Sequence, residues 1–173
     1  HVFANPADRF NAHVFNVPES IARFLLEDHP LDRDGTTAEG PRVFHLVCVG
    51  FGRAGEAVVV RAANVCHPAN GRRLRVTVID LQAARKEKVF YGRYPGFAAV
   101  CDVEFVQGDA ADEGILRRIR EIAGSPDTVA TLVVTMNDDS RNLLYALQIR
   151  ESVGPDRLPI CVRMVDVTGL TSL

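Results

Sequence analysis

The chain contains no tryptophan, and its four cysteines, Cys48, Cys66, Cys101 and Cys161, form no CxxC or other paired spacing. That removes the signature of a zinc ribbon or a redox dithiol and reads as free thiols in a reducing compartment. Cys66 beside His67 has no second pair of ligands to complete a metal site, and the five histidines are scattered without ligand spacing. No apolar run approaches the roughly 18 to 20 residues of a membrane span, and no basic start with an apolar core marks a signal peptide. The chain therefore reads as soluble. Excess charge is missing too: 20 Lys and Arg stand against 22 Asp and Glu, a net charge of −2, which gives no global attraction to nucleic acid or to an anionic membrane. The local clusters Arg72, Arg73 and Arg75, and Arg117, Arg118 and Arg120, read as solvated faces.

What is present centres on Val43 to Gly55, VFHLVCVGFGRAG, an apolar run with His45 as its one polar interruption. It ends in Gly50, Gly52 and Gly55 at GxGxxG spacing and leads into the helix-forming stretch Glu56 to Val65. Strand, glycine turn and helix in that order form a phosphate cradle. Gly50 permits the tight bend, Gly52 permits close approach of a pyrophosphate, and Gly55 permits close helix packing. The free N–H groups of the first helical turn and the helix dipole then face the phosphates. A second apolar run, Leu74 to Ile79, ends in Asp80, placed to accept a hydrogen bond from a ribose hydroxyl. The 25 positions from Gly55 to Asp80 slightly exceed the roughly 20 usual for this fingerprint, and the polar insertion His67 to Arg73 accounts for the excess.

At 173 residues the chain is sized for one domain with an appendage. Residues 1–41 read as an N-terminal appendage and linker, and 42–173 as the domain. The appendage carries Phe3, Phe10, Phe15 and Phe24 among polar residues, with Pro6 and Pro18 as breakers; Pro18 fits the first turn of a short helix in which Ile21, Phe24 and Leu25 share a face. Leu31 to Pro41 reads as linker. Beyond Asp80, helix is expected over Gln82 to Tyr91, strand over Val103 to Val106, and helix over Glu113 to Ala123. The last has Asp112 as N-cap and Ile115, Leu116, Ile119 and Ile122 on one face. A strand over Val129 to Thr135, a helix carrying Leu143, Leu144 and Leu147, and a strand over Ile160 to Val165 complete the series. This alternation predicts an α/β fold, a doubly wound parallel sheet with helices on both faces, and places ligand beyond the carboxyl ends of the strands. That rim holds Gly50 to Gly55, Asp80, Gly108 to Ala110 and Met136 to Asp139.

GFGRAG at Gly50 to Gly55, Asp80, GDA at Gly108 to Ala110 and TMNDDSRNLL from Thr135 to Leu144 together resemble the N-terminal domain of regulators of potassium conductance (RCK), also called the TrkA N-terminal domain. The likeness covers about Arg42 to Val165. It implies a cytoplasmic Rossmann-like module, at the inner face of the membrane, fused to or associated with a potassium channel or transporter. Such a module binds NAD(H), or an adenine nucleotide such as ATP, ADP or AMP, gates transport by changing shape, and pairs as a homodimer within larger rings. The roles implied fall on Gly50, Phe51, Gly52, Arg53, Ala54 and Gly55 for phosphates, on Asp80 for ribose, and on Gly108, Asp109 and Ala110 at the adenosine end. Asn137, Asp138 and Asn142 match the polar run facing the rest of the ligand. The family domain continues through a further strand and helix, so the chain is expected to be a piece of a longer protein.

Several assignments stay open on the residues alone. Arg53 either contacts phosphate or is an exposed first-turn residue, and Asp109 is either at the site or a turn residue. Asp80 disfavours a 2′-phosphate, an argument weakened by Arg85 and Lys86 nearby. Asp138 and Asp139 read as helix-capping acids in preference to cation ligands. A catalytic role is disfavoured: Tyr145 has Ile149, and no lysine, four positions on, and no second domain supplies a substrate site. The alternatives to a sensor are the NAD-binding domain of an oxidoreductase and a nucleotide-independent dimerisation module.

Overall fold

The computed structural model describes residues 16–32, 37–155 and 157–165. Phe3, Phe10, Phe15 and Pro6 lie outside the described residues. The elements run α1 (Val17–Asp28), β1 (Val43–Val49), α2 (Arg53–Val65), β2 (Leu74–Asp80), α3 (Ala83–Arg93), β3 (Cys101–Gln107), α4 (Glu113–Gly124), β4 (Thr128–Val134), α5 (Asp139–Val153) and β5 (Ile160–Val162). The five strands form one parallel sheet in the order β3-β2-β1-β4-β5. This is the Rossmann-like α/β arrangement that the alternation anticipates. Each central strand is apolar on both faces because helices cover both. Side chains of one β1 face, Phe44, Leu46 and Cys48, join a core beneath α1, α2 and α3. Those of the other, Val47 and Val49, join a core with Ile115, Ile119, Ala146 and Ile149 of α4 and α5.

Helix α1 packs into the first of these cores through Ala22 and Leu26, and Leu31 after it is 5 % exposed in the same cluster. Of the sequence stripe Ile21, Phe24 and Leu25, Leu25 packs against this core and Ile21 is half-buried, but Phe24 points outward, with the Arg23 guanidinium 5.0 Å from its ring centre. The insertion between α2 and β2 grips the stretch ahead of β1, where the Asn70 amide donates to the carbonyls of Gly40 and Arg42. Helix α4 buries the expected face, Ile115 and Ile119 fully and Leu116 and Ile122 in part. Asp112 stands at its N-cap position without capping, its carboxylate accepting the Asp109 N–H instead. Helix α5 turns Asn142, Ala146, Ile149 and Val153 inward and leaves Leu144 and Leu147 exposed. Part of both arginine clusters is spent in surface ion pairs, Arg73 with Asp102, Arg118 with Glu104 and Arg120 with Glu113. Among the described residues no helix is long and apolar enough to cross a membrane.

His45, the polar interruption of β1, hydrogen-bonds through Nε2 to the Thr77 hydroxyl at 2.9 Å. Burial, with the guanidinium groups of Arg75 and Arg118 adding to it, lowers its pKa from 6.5 to about 4. The folded chain therefore keeps His45 neutral where the unfolded chain takes up a proton. Stability is undiminished above the unfolded pKa and is lost as pH falls from about 6.5 toward 4, by about 2 kcal/mol between pH 7.5 and pH 5. Urea unfolding of the wild type and His45→Gln at those two pH values checks this. The variant should lose most of that difference, and an equal slope in both proteins would place the pH dependence elsewhere.

Candidate functional site

At the carboxyl end of β1 the chain turns through Gly50 with φ of 85°, a left-handed backbone that favours glycine. Gly50 N–H donates to the Ile79 carbonyl, and the Gly50 carbonyl accepts the Thr135 hydroxyl at 2.6 Å. The Cys48 thiol lies beneath the same carbonyl at 3.7 Å. Complete burial raises that thiol's pKa to about 12, so it stays protonated and packs. The loop is anchored from its other side by Phe51, whose ring is 5 % exposed and meets Phe90 and Phe105 edge-on at 5.5 and 5.2 Å. Burying that ring contributes about 2 kcal/mol toward holding the loop in one conformation.

Helix α2 begins at Arg53, three residues earlier than the sequence reading, because Glu56 N–H closes the first turn onto the Gly52 carbonyl. Gly52 is its N-cap, without a side chain to cap it. The amides at the start of the helix therefore lack intrahelical acceptors and face the rim. Space at Gly52 is open, with no atom within 4 Å of where a Cβ would stand. Gly55 is the opposite case, its added Cβ falling 2.3 Å from the Gly50 carbonyl oxygen. Glu56, which would otherwise set a negative charge beside this anion-favouring end, is paired with Arg93 and accepts from the Tyr94 hydroxyl.

Asp80 closes β2 with a side chain only 10 % exposed. One carboxylate oxygen accepts the Phe51 N–H at 2.8 Å and the Lys86 ammonium at 2.5 Å, and the other accepts the Gln82 N–H at 2.9 Å. Burial pushes its pKa up, but the Lys86 bond and the two backbone N–H groups outweigh that and hold it below the usual carboxylate value. Across the rim, Asp109 accepts from the Ala111 N–H, and that bond, joined by one from Tyr145, lowers its pKa. The Tyr145 phenol is raised in turn, first by its bond to Asp109. Asp138 is the N-cap of helix α5, its carboxylate accepting the Arg141 N–H.

Between these groups lies a recess of about 310 Å³ floored by Val49, Ile79 and Ala110 and edged by Asp80, Lys86, Asp109 and Tyr145. Of the residues singled out from sequence, Gly50, Asp80, Gly108, Asp109 and Ala110 line it. Phe51, Gly52 and Gly55 do not line it, and the Phe51 N–H is given to Asp80. Arg53 turns toward a separate groove between α1 and α2, and Ala54 is buried. Asn137 is exposed and Asp138 is the cap. Asn142 is wholly buried and does not face the recess: it bonds the backbone of Met136 in both directions and the Arg163 carbonyl, tying the ends of β4 and β5 together. Met136, which the sequence placed on the rim, lines the recess as well, whereas sequence reasoning missed Arg141 and Tyr145 in its lining and Thr135 on the Gly50 carbonyl. Among the described residues no group of three or more His, Cys, Asp or Glu side chains could hold a metal ion.

A Rossmann-like sheet with an uncapped helix behind a glycine loop, an acid at the next strand end and an apolar-floored recess between them is consistent with nucleotide binding. Compared with known proteins, the chain matches no family model, no curated protein and no solved structure.

Proposed function

We propose that the chain is a nucleotide-sensing regulatory domain of the RCK or TrkA N-terminal kind, binding NAD(H) or an adenine nucleotide and gating a potassium channel or transporter. The observation that carries this reading is the recess itself. Gly50 of the glycine loop and Asp80 stand at its edge and Val49, Ile79 and Ala110 make its lining apolar, while no residue of α2 lines it. Its volume is at the small end of ligand cavities and leaves room for a nucleoside. In this placement adenine lies over Val49, Ile79 and Ala110, ribose meets Asp80, and the phosphates reach the start of α2. A binding role in place of catalysis is favoured by the state of the titratable groups. Asp80 is paired with Lys86, and the phenol of Tyr145 is shifted away from neutrality, whereas a general acid or base works best with a pKa near the operating pH. Cytoplasmic placement, assembly as a homodimer or larger ring, and attachment to a membrane protein follow from the resemblance alone.

Calorimetric titration of the chain with NAD, NADH, NADPH, ATP, ADP and AMP tests the reading. Saturable binding of one or more at one site per chain, with no redox turnover, is the expected result. Absence of binding by all six would leave a dimerisation module as the better account.

A further inference from the structure

The ribose corner of the recess carries a balanced charge, and the balance depends on one flexible side chain. A carboxylate offers about four acceptor positions. Three of those on Asp80 are occupied, by Phe51 N–H, Gln82 N–H and the Lys86 ammonium. One remains, enough for a single ribose hydroxyl. A bare carboxylate here would repel a phosphate on the ribose 2′ oxygen, but the ion pair with Lys86 is neutral as a unit. Lys86 ends the first turn of α3, fixed there by its own N–H to the Gln82 carbonyl, and its side chain is 31 % exposed and lines the recess. An ammonium carries three donors, so Lys86 keeps others to offer while it holds Asp80. Lys86 is thus the one partner of Asp80 with the freedom to meet an incoming anion. Arg85, one residue earlier, is exposed and lines no part of the recess.

We propose that Lys86 is the specificity-determining residue at this corner: while paired with Asp80 it offers its remaining donors to the 2′ position, and so admits adenine nucleotides that carry a 2′-phosphate as well as those with a free hydroxyl. This rests on the nucleotide-binding reading above. It departs from the simple expectation that an acid closing the second strand selects against the phosphorylated dinucleotide.

The test is titration of the wild type, Lys86→Met and Lys86→Arg with NADH and NADPH, each variant first shown by thermal melting to be folded. The wild type should bind the two within about tenfold, and Lys86→Met should weaken NADPH by about tenfold more than it weakens NADH. Lys86→Arg should restore NADPH binding. An unchanged ratio in Lys86→Met, or equal weakening of both ligands, would overturn the proposal and leave Lys86 as a support for Asp80 alone. A wild type that binds NADH and rejects NADPH overturns it as well. A wild type that binds neither overturns the nucleotide reading together with it.

Discussion

Gly55→Ala should destabilise the domain by about 3 kcal/mol, even though alanine is the better helix former by about 1 kcal/mol. The added Cβ falls 2.3 Å from the Gly50 carbonyl oxygen, 2.8 Å from the Thr135 hydroxyl and 3.1 Å from the Cys48 sulfur. None of the three is the loose end of a long side chain. The carbonyl cannot rise, because the next turn of the loop is fixed by Gly50 N–H on Ile79 and by the buried Phe51 ring. It cannot sink, because the Thr135 hydroxyl already stands 2.6 Å beneath it. Helix α2 must therefore back away from β1 and open the core beneath Val58, Val59 and Ala62, all of them wholly buried. At about 2 to 4 °C per kcal/mol for a domain of this size, the melting temperature should fall by roughly 6 to 12 °C. Valine at the same position should do more. A thermal melt and a urea titration read this directly, and an unchanged midpoint would mean that α2 does not approach the loop as closely as the geometry requires.

The third glycine was legible in the sequence because close packing leaves only one residue type for it. The same holds for the apolar runs, whose burial on both faces implies helices on both sides of a parallel sheet, and for Asp80, which closes such a run. What could be read only in part is partnership between residues apart in sequence. The sequence sets both Arg85 and Lys86 near Asp80; that Lys86 makes the pair follows from the way α3 begins after β2, since six residues is a spacing that no helical pair rule flags. Thr135 looks like one more β-branched strand residue until β4 is set beside β1, which brings its hydroxyl under the glycine loop. Asn142 was hidden by its neighbours: in a run rich in helix-starting polar residues it reads as another of them. A signal was nonetheless present. Positions 142, 146, 149 and 153 form the inward stripe of α5, and a polar residue at the head of an otherwise apolar stripe calls for buried partners. In α1 the stripe held for Leu25 and missed at Phe24: the small Ala22 is the residue wholly buried there, while the aromatic ring stays exposed.

Gly52→Val should leave the domain folded and remove nucleotide binding, the reverse of what is expected three residues later. Gly52 adopts φ −87° and ψ −164°, extended backbone open to any residue, and an added Cβ meets nothing within 4 Å. The structural cost is confined to the N-cap preference, which ranks valine below glycine and amounts to about 1 kcal/mol or less. The space that the valine methyls enter is the approach to the unpaired amides of the first turn of α2. A phosphate kept from those donors loses charge-assisted hydrogen bonds of about 1.5 to 3 kcal/mol each, so losing one or two of them lowers affinity by roughly a hundredfold. Calorimetry with whichever nucleotide the wild type binds, beside a thermal melt of the same preparation, separates the two effects. A folded variant with undiminished affinity would take the glycine loop out of the site and leave the GxGxxG spacing as packing alone. A variant that fails to bind while melting within a few degrees of the wild type would assign Gly52 to the ligand and Gly55 to the fold.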